Sequence, residues 1–392
     1  MNVFDYLKWR SDVPFSAAPF NDVDNLILAE LAYTDFDGIV PENGPAVPLG
    51  TSRNQYFRQH SRAAISSATS FSARSPLLMD DMCEGARFRD MQLAFYRSER
   101  DTDADLQFSA VTFLLPDGTA YVAFRGTDGT LVGWKEDFNL SYLDATEGQA
   151  RAAEYLSRVG NALGCPLRVG GHSKGGNLAV YAAACCSRAA QDRIMTVYSN
   201  DGPGFRLDFV SGEAYRRILP RVTSIIPDTS VIGMLMENLT VPKVIRSSAS
   251  GMVQHDGFTW ETERDRFVPA ELSETSRLVR KTLTGWLDQT NDESRKAITD
   301  TVFSLLEATG ENTFHGISES KWKSAEAMIQ SAKDLPKGSL QELGRLMARL
   351  GQNGVKTASA YLQSIATEKL QGLAVPGTPK TEEKDDNPPE EI

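Results

Sequence analysis

Leu167-Arg168-Val169-Gly170-Gly171-His172-Ser173-Lys174-Gly175-Gly176-Asn177-Leu178-Ala179-Val180-Tyr181 reads as a short apolar strand, a sharp turn and a helix of small residues. That succession is what a nucleophile elbow requires. Gly171 and Gly175 flank Ser173 and allow a turn tight enough to lift its hydroxyl clear of a sheet. Gly175, Gly176, Ala179 and Ala182 to Ala184 let the helix lie close on the strands. The pattern Gly171-x-Ser173-x-Gly175 is weak by itself. The strand before it and the helix after it make it specific.

Upstream, Asp22 to Tyr33 places Val23, Leu26, Ile27 and Leu31 at helical spacing. Residues 38–81 show no periodicity, only Pro, Gly, Ser and Arg with scattered aromatics. They are expected to be irregular and to form a cover over the site or a plain surface excursion. Met91 to Arg97, Gln107 to Leu115 and Thr119 to Phe124 are β-rich, with Pro116-Asp117-Gly118 as a turn. Helices follow over Leu131 to Leu140 and Glu147 to Leu163. Beyond the elbow, strands are expected at Ile194 to Tyr198, Val222 to Ile226 and Lys243 to Arg246, with a helical stretch through Tyr215 and Ile218. This alternation predicts a doubly wound, mostly parallel α/β sheet, whose ligands bind at the carboxyl ends of the strands. Ser173, Thr127, Asp201 and Asp228 all fall at such ends.

A serine hydroxyl needs a base to take its proton, usually a histidine oriented by a carboxylate. The chain has only four histidines. His60 lies upstream in the aperiodic segment, and His172 precedes the serine, where the turn aims it away from the hydroxyl. His315 lies in a later helical region. His255, in Gln254-His255-Asp256, follows the last expected strand and is the chosen base. Asp228 is the first choice for the acid because it follows the later strand. Asp201 is the second, since Asn200-Asp201-Gly202-Pro203-Gly204 is also an ordinary turn former. Asp256 adjoins the base and is poorly placed to orient it. Acyl transfer also needs donors for the developing oxyanion, and Gly126-Thr127 lies on a loop after an early strand where one such donor normally originates.

Phe124-Arg125-Gly126-Thr127, Gly171-His172-Ser173-x-Gly175-Gly176 and an apolar strand ending at Asp228 resemble the class 3 lipases, α/β-hydrolases of the fungal triacylglycerol lipase type. More closely, Gly171 to Ala179, Asn200 to Gly204 and Gln254-His255-Asp256 resemble a little-characterised bacterial family of lipase-like α/β-hydrolases with a Gly-His-Ser-Lys-Gly-Gly elbow. The resemblance spans about Asn21 to Phe267. It implies an α/β-hydrolase fold and a Ser173, Asp228, His255 triad, with Thr127 and the Lys174 backbone N–H as oxyanion donors. Lys174 departs from the apolar residue common after a lipase serine. It is expected to place a cation at the mouth of the site, favouring an acidic or polar acyl substrate.

Domain organisation follows from composition. The composition changes after about Pro269, and residues 1–269 are expected to form the α/β-hydrolase domain that the resemblance implies. Residues 270–373 form a helical appendage, with Leu272, Val279, Leu283 and Trp286, then Ile298, Val302 and Leu305, at helical spacing. Ser339 with Glu342 is a capping-box pattern, and a last helix is expected over 355–370. Residues 374–392 are an acidic tail expected to be disordered.

The net charge of −11 argues against a nucleic-acid partner. No stretch has the length of a membrane span, so stable membrane insertion is not expected. Cys83, Cys165, Cys185 and Cys186 lack metal-ligand spacing and read as thiols in a reducing, cytoplasmic setting. The expected function is a serine hydrolase acting on a small-molecule or lipid ester without metal or organic cofactor. A thioesterase or amidase would use the same triad. A catalytically silent scaffold, with a protein partner bound through the helical appendage, is the reading from another class.

Overall fold

In a computed structural model, which describes residues 1–310 other than 69, 70, 129 and 289, eight strands lie side by side in chain order. They are β1 (Val47–Pro48), β2 (Gln92–Asp101), β3 (Leu106–Leu114), β4 (Ala120–Phe124), β5 (Leu167–His172), β6 (Ile194–Asn200), β7 (Val222–Pro227) and β8 (Lys243–Ile245). Strands β1 to β4 are successively antiparallel, and β4 to β8 are parallel. The parallel register pairs Phe124 with Gly171, Gly171 with Ser199 and Asn200 with Ile225, so the carboxyl ends of β4 to β7 share one edge. A parallel sheet must be covered on both faces.

Helices supply those covers. In chain order they are α1 (Val3–Arg10), α2 (Asp22–Leu31), α3 (Leu49–Gln59), α4 (Arg62–Ser67), α5 (Leu78–Glu84), α6 (Leu131–Asn139), α7 (Glu147–Ala162), α8 (Lys174–Cys185), α9 (Arg188–Gln191), α10 (Leu207–Ser211), α11 (Glu213–Ile218), α12 (Glu274–Asp288) and α13 (Asp292–Glu307). Alternation along β4 shows the layering, since successive side chains point to opposite faces. Tyr121 and Ala123 join the core formed with α1, α2, α3 and α5. Ala120, Val122 and Phe124 join the other, with α7, α8 and α11. A mostly parallel sheet between two helical layers, with a serine turn at the end of its β5, is the α/β-hydrolase architecture.

One local expectation is corrected. Residues 38–81 are not irregular: they carry β1, α3, α4 and a 3-10 helix at Phe71–Leu77. α3 spans 11 residues but buries only Leu49, Ser52 and Tyr56, while α4, capped by Ser61, and the 3-10 helix, holding Pro76, are short, so few apolar residues recur at helical spacing. Val3–Arg10 is a helix opened by a capping box between Asn2 and Asp5. The helices α12 and α13 fall where apolar spacing placed them. Phe303 on α13 meets Phe138 on α6 edge to face at 5.7 Å. His315, the Ser339 and Glu342 pattern, the helix over 355–370 and the tail 374–392 lie outside the described residues.

Buried polar groups tie α2 to the elbow strand. Asn25 Nδ2 donates to Asn200 Oδ1 at 2.8 Å, Asn200 Nδ2 donates to the Gly171 carbonyl at 3.1 Å, and Tyr121 donates to Asn25 Oδ1 at 2.7 Å. Arg87 Nε donates to Asp24 Oδ1 at 2.8 Å, with both side chains fully buried. A buried charge held this way is tolerated because its partners satisfy it.

Candidate active site

Ser173 sits between β5 and α8 with φ 58° and ψ −132°, a conformation sparsely populated by side-chain-bearing residues. Such strain costs on the order of 1–3 kcal/mol and persists only where the surroundings impose it. The surroundings do so here. A Cβ at Gly171 would lie 2.4 Å from the Gly175 carbonyl oxygen, and one at Gly175 would lie 2.1 Å from the Phe124 oxygen. Only glycine at both positions lets β4, β5 and α8 meet around the serine. Ser173 N donates to the Asn200 carbonyl at 2.9 Å, fixing the turn against β6.

The next strand end delivers the carboxylate. Asp201 follows β6 in a left-handed conformation (φ 47°) and is fully buried. Its Oδ1 accepts from Ser230 Oγ and from the Gly233 N–H at 3.0 Å, and its Oδ2 lies 2.6 Å from His255 Nδ1. A carboxylate can only accept, so Nδ1 carries the proton and Nε2 is left as the basic nitrogen. Asp228 is therefore not the carboxylate on His255, and the second-choice Asp201 is. Residue 228 meets the appendage through its main chain, accepting from the Ser273 N–H at 2.8 Å. The turn chemistry that argued against Asp201 is real, and it also aims this side chain at the histidine.

His255 closes a single 3-10 turn, Gly251–His255, after the short β8. Its side chain is 12% exposed, within reach of solvent at the strand-end edge. Behind it stands His172, fully buried, with ring centroids 4.6 Å apart. His172 Nε2 lies 2.7 Å from the His255 carbonyl oxygen, and Tyr33 OH lies 3.1 Å from His172 Nδ1. Burial, then the nearby His255, hold the His172 imidazole well below its usual pKa. Glu30 Oε1 is 3.5 Å from Nδ1, and burial pushes that carboxyl well above its usual range.

On the other side of the serine, the loop Gly126-Thr127 closes on the elbow. A Cβ at Gly126 would meet the His172 carbonyl oxygen at 2.6 Å and Ser173 Cβ at 3.1 Å. Thr127 Oγ1 donates to Asp137 Oδ2 at 2.6 Å, which leaves its N–H as the group that can serve an oxyanion. Burial raises the Asp137 carboxyl to about 6, against the lowering influence of the Lys174 ammonium and the Thr127 hydrogen bond.

Lys174 overturns the expected cation at the mouth of the site. Its side chain is 1% exposed and runs inward beneath the loop. Nζ donates to Gln107 O and Gln107 Oε1, each at 2.8 Å, and to Glu136 Oε2 at 2.7 Å. An ammonium has three donors, and all three are used. Gln107 Nε2 in turn donates to the Gly126 carbonyl at 3.4 Å, and Glu136 Oε1 accepts from the Gly148 N–H at 2.7 Å.

Glu136 and Asp137 fall on the helix expected over Leu131 to Leu140, but nothing in the sequence ties them to Thr127 or Lys174. Tyr33, Glu30 and Gln107 leave no trace in the sequence either, because their roles depend on α2 and β3 crossing the elbow strand.

Comparison with known proteins follows from this geometry. A family model described as Mbeg1-like matches residues 82–304. No curated protein matches the chain. Among solved structures, M37 lipase is similar at 14% identity and a TM-score of 0.33, over 68% of this chain and 79% of that one. The native Rhizomucor miehei lipase propeptide complex is similar at the same identity and TM-score, over 53% and 73% respectively.

Proposed function

The chain belongs to the Mbeg1-like family, and we propose that it is a serine hydrolase cleaving a carboxylic ester, with Ser173 as nucleophile, His255 as base and Asp201 as orienting acid. The observation that carries this reading is the strained Ser173 turn together with a histidine whose Nδ1 is 2.6 Å from a fully buried carboxylate and whose ring lies 4.6 Å from that of His172, the residue before the serine.

His255 Nε2 takes the hydroxyl proton as Ser173 Oγ attacks the acyl carbon. The carbonyl oxygen becomes an oxyanion, stabilised by the N–H groups of Thr127 and Lys174. Collapse expels the alcohol, which takes the proton from His255 and leaves an acyl-serine. Water, deprotonated by His255, then releases the acid and restores the serine. Asp201 stays ionised throughout and stabilises the imidazolium.

The withdrawn Lys174 removes the reason to expect an acidic acyl group, so a neutral small-molecule or lipid ester is the proposed substrate class. A reducing, cytoplasmic setting belongs to the same proposal and is supported by free thiols at Cys83, Cys165, Cys185 and Cys186. No helix among the described residues is long and apolar enough to cross a membrane.

A fluorophosphonate probe tests the reading. Wild type should be labelled covalently, and Ser173→Ala and His255→Ala should not. Absence of labelling on wild type, beside a reacting control hydrolase, would remove the hydrolase reading.

A further inference from the structure

Resting on that reading, we propose that His172 is a positioning residue for His255: it ties the main chain of the base to the strand that carries the nucleophile. His255 sits on one turn of 3-10 helix following a three-residue strand, an unusually thin support for a group that must be held within about 0.5 Å of its productive place. Contacts to Gln254 and to the base itself secure that turn. Trp260 Nε1 donates to the Gln254 carbonyl at 2.9 Å, and the Thr229 N–H donates to Gln254 Oε1 at 3.0 Å. His172 Nε2, 2.7 Å from the His255 carbonyl, holds the main chain of the base, as Asp201 holds its ring.

The direction of that bond follows from chemistry. A carbonyl only accepts, so Nε2 carries the His172 proton and Nδ1 is bare. Tyr33 OH then donates to Nδ1 at 3.1 Å. The chain of donors runs Tyr33 to His172 to His255; a charged His172 would keep its Nε2 bond to the His255 carbonyl and reverse only the Tyr33 bond. Burial opposes that charge. Trp260, perpendicular to the His172 ring at 6.1 Å, walls off the other side. His172 has no place in proton transfer, being fully buried behind the base. Its effect is on where the imidazole stands relative to Ser173, one residue along the chain from His172.

The test compares His172→Leu, which keeps bulk and loses the donor, with His172→Gln, whose amide N–H reaches where Nε2 was, and with Tyr33→Phe. The first readout does not depend on turnover: the low-field ¹H NMR resonance of the His255 Nδ1–H shared with Asp201. It should shift or broaden in His172→Leu and be retained in His172→Gln. The second readout is hydrolysis of p-nitrophenyl acetate. His172→Leu should lose up to about 100-fold in kcat with little change in KM, and His172→Gln should recover most of it. If His172→Leu does not fold, Tyr33→Phe must still displace the resonance and lower kcat. A low-field resonance and kcat unchanged in folded His172→Leu, or a folded His172→Gln as impaired as the leucine variant, would overturn the proposal. Wild type inert to ester and probe would instead sink the hydrolase reading, and the resonance would still decide the role of His172.

Discussion

Lys174 Nζ and Glu136 Oε2 meet at 2.7 Å with each side chain 1% exposed, directly beneath the loop that carries Thr127. Removing one partner of such a pair strands a buried charge, which typically costs about 3–5 kcal/mol. Lys174→Met should lower stability to urea by that order, and adding Glu136→Gln should recover much of it. A single variant that unfolds at the wild-type midpoint would show that the pair is not buried as described.

Asp201 and Asp228 separate cleanly by substitution. If Asp201 orients His255, Asp201→Asn should reduce kcat for ester hydrolysis by roughly 10⁴-fold, because the amide favours the wrong tautomer. Asp228→Asn should stay near wild type. Comparable losses in both would return Asp228 to the site.

The elbow glycines should tolerate no side chain. With a Cβ 2.1 Å from the Phe124 oxygen, Gly175→Ala forces backbone apart and should cost about 1–3 kcal/mol or more. Gly164, where a Cβ meets nothing within 4 Å, is the control, and Gly164→Ala should fall within about 0.5 kcal/mol of wild type. Thermal unfolding of the two variants side by side reads the difference.

His172 gives stability a pH dependence of definite sign. Its folded pKa is depressed, chiefly by burial, so below about 6.5 the unfolded chain takes up a proton that the native state refuses. Stability from this group is full above that pH and is lost as pH falls. The limiting slope is about 1.4 kcal/mol per pH unit. His172→Gln should flatten the profile between pH 6.5 and 5 by that amount in urea titrations. Glu30, raised by burial, works in the opposite sense, losing stability as pH climbs above the ordinary carboxylate range. An identical slope in wild type and His172→Gln would contradict the neutral, buried imidazole.

Much of this was legible without coordinates. The alternation of strands and helices and the turn at Ser173 rest on local periodicity and turn chemistry, and the proposal of His255 as base rests on order along the chain. The acid was harder because Asp201 and Asp228 both end parallel strands, and chain order says nothing of which carboxylate is nearer a loop that returns from β8. Residues 38–81 failed for another reason. Their one longer helix, α3, carries few apolar residues, and the others are short, so periodicity does not register.

What the sequence by itself determined is the backbone around the nucleophile: a glycine-flanked serine between an apolar strand and a small-residue helix can turn in few other ways, since sterics act between neighbours. Only the tertiary structure decided the pairings. Asp201 meets His255 across 54 residues, His172 meets Tyr33 across 139, and Lys174 turns inward to Gln107 across 67. Hydrogen bonds of 3 Å depend on how β3, α2 and the β8 loop converge on one sheet edge, and that convergence is set by packing across the whole core.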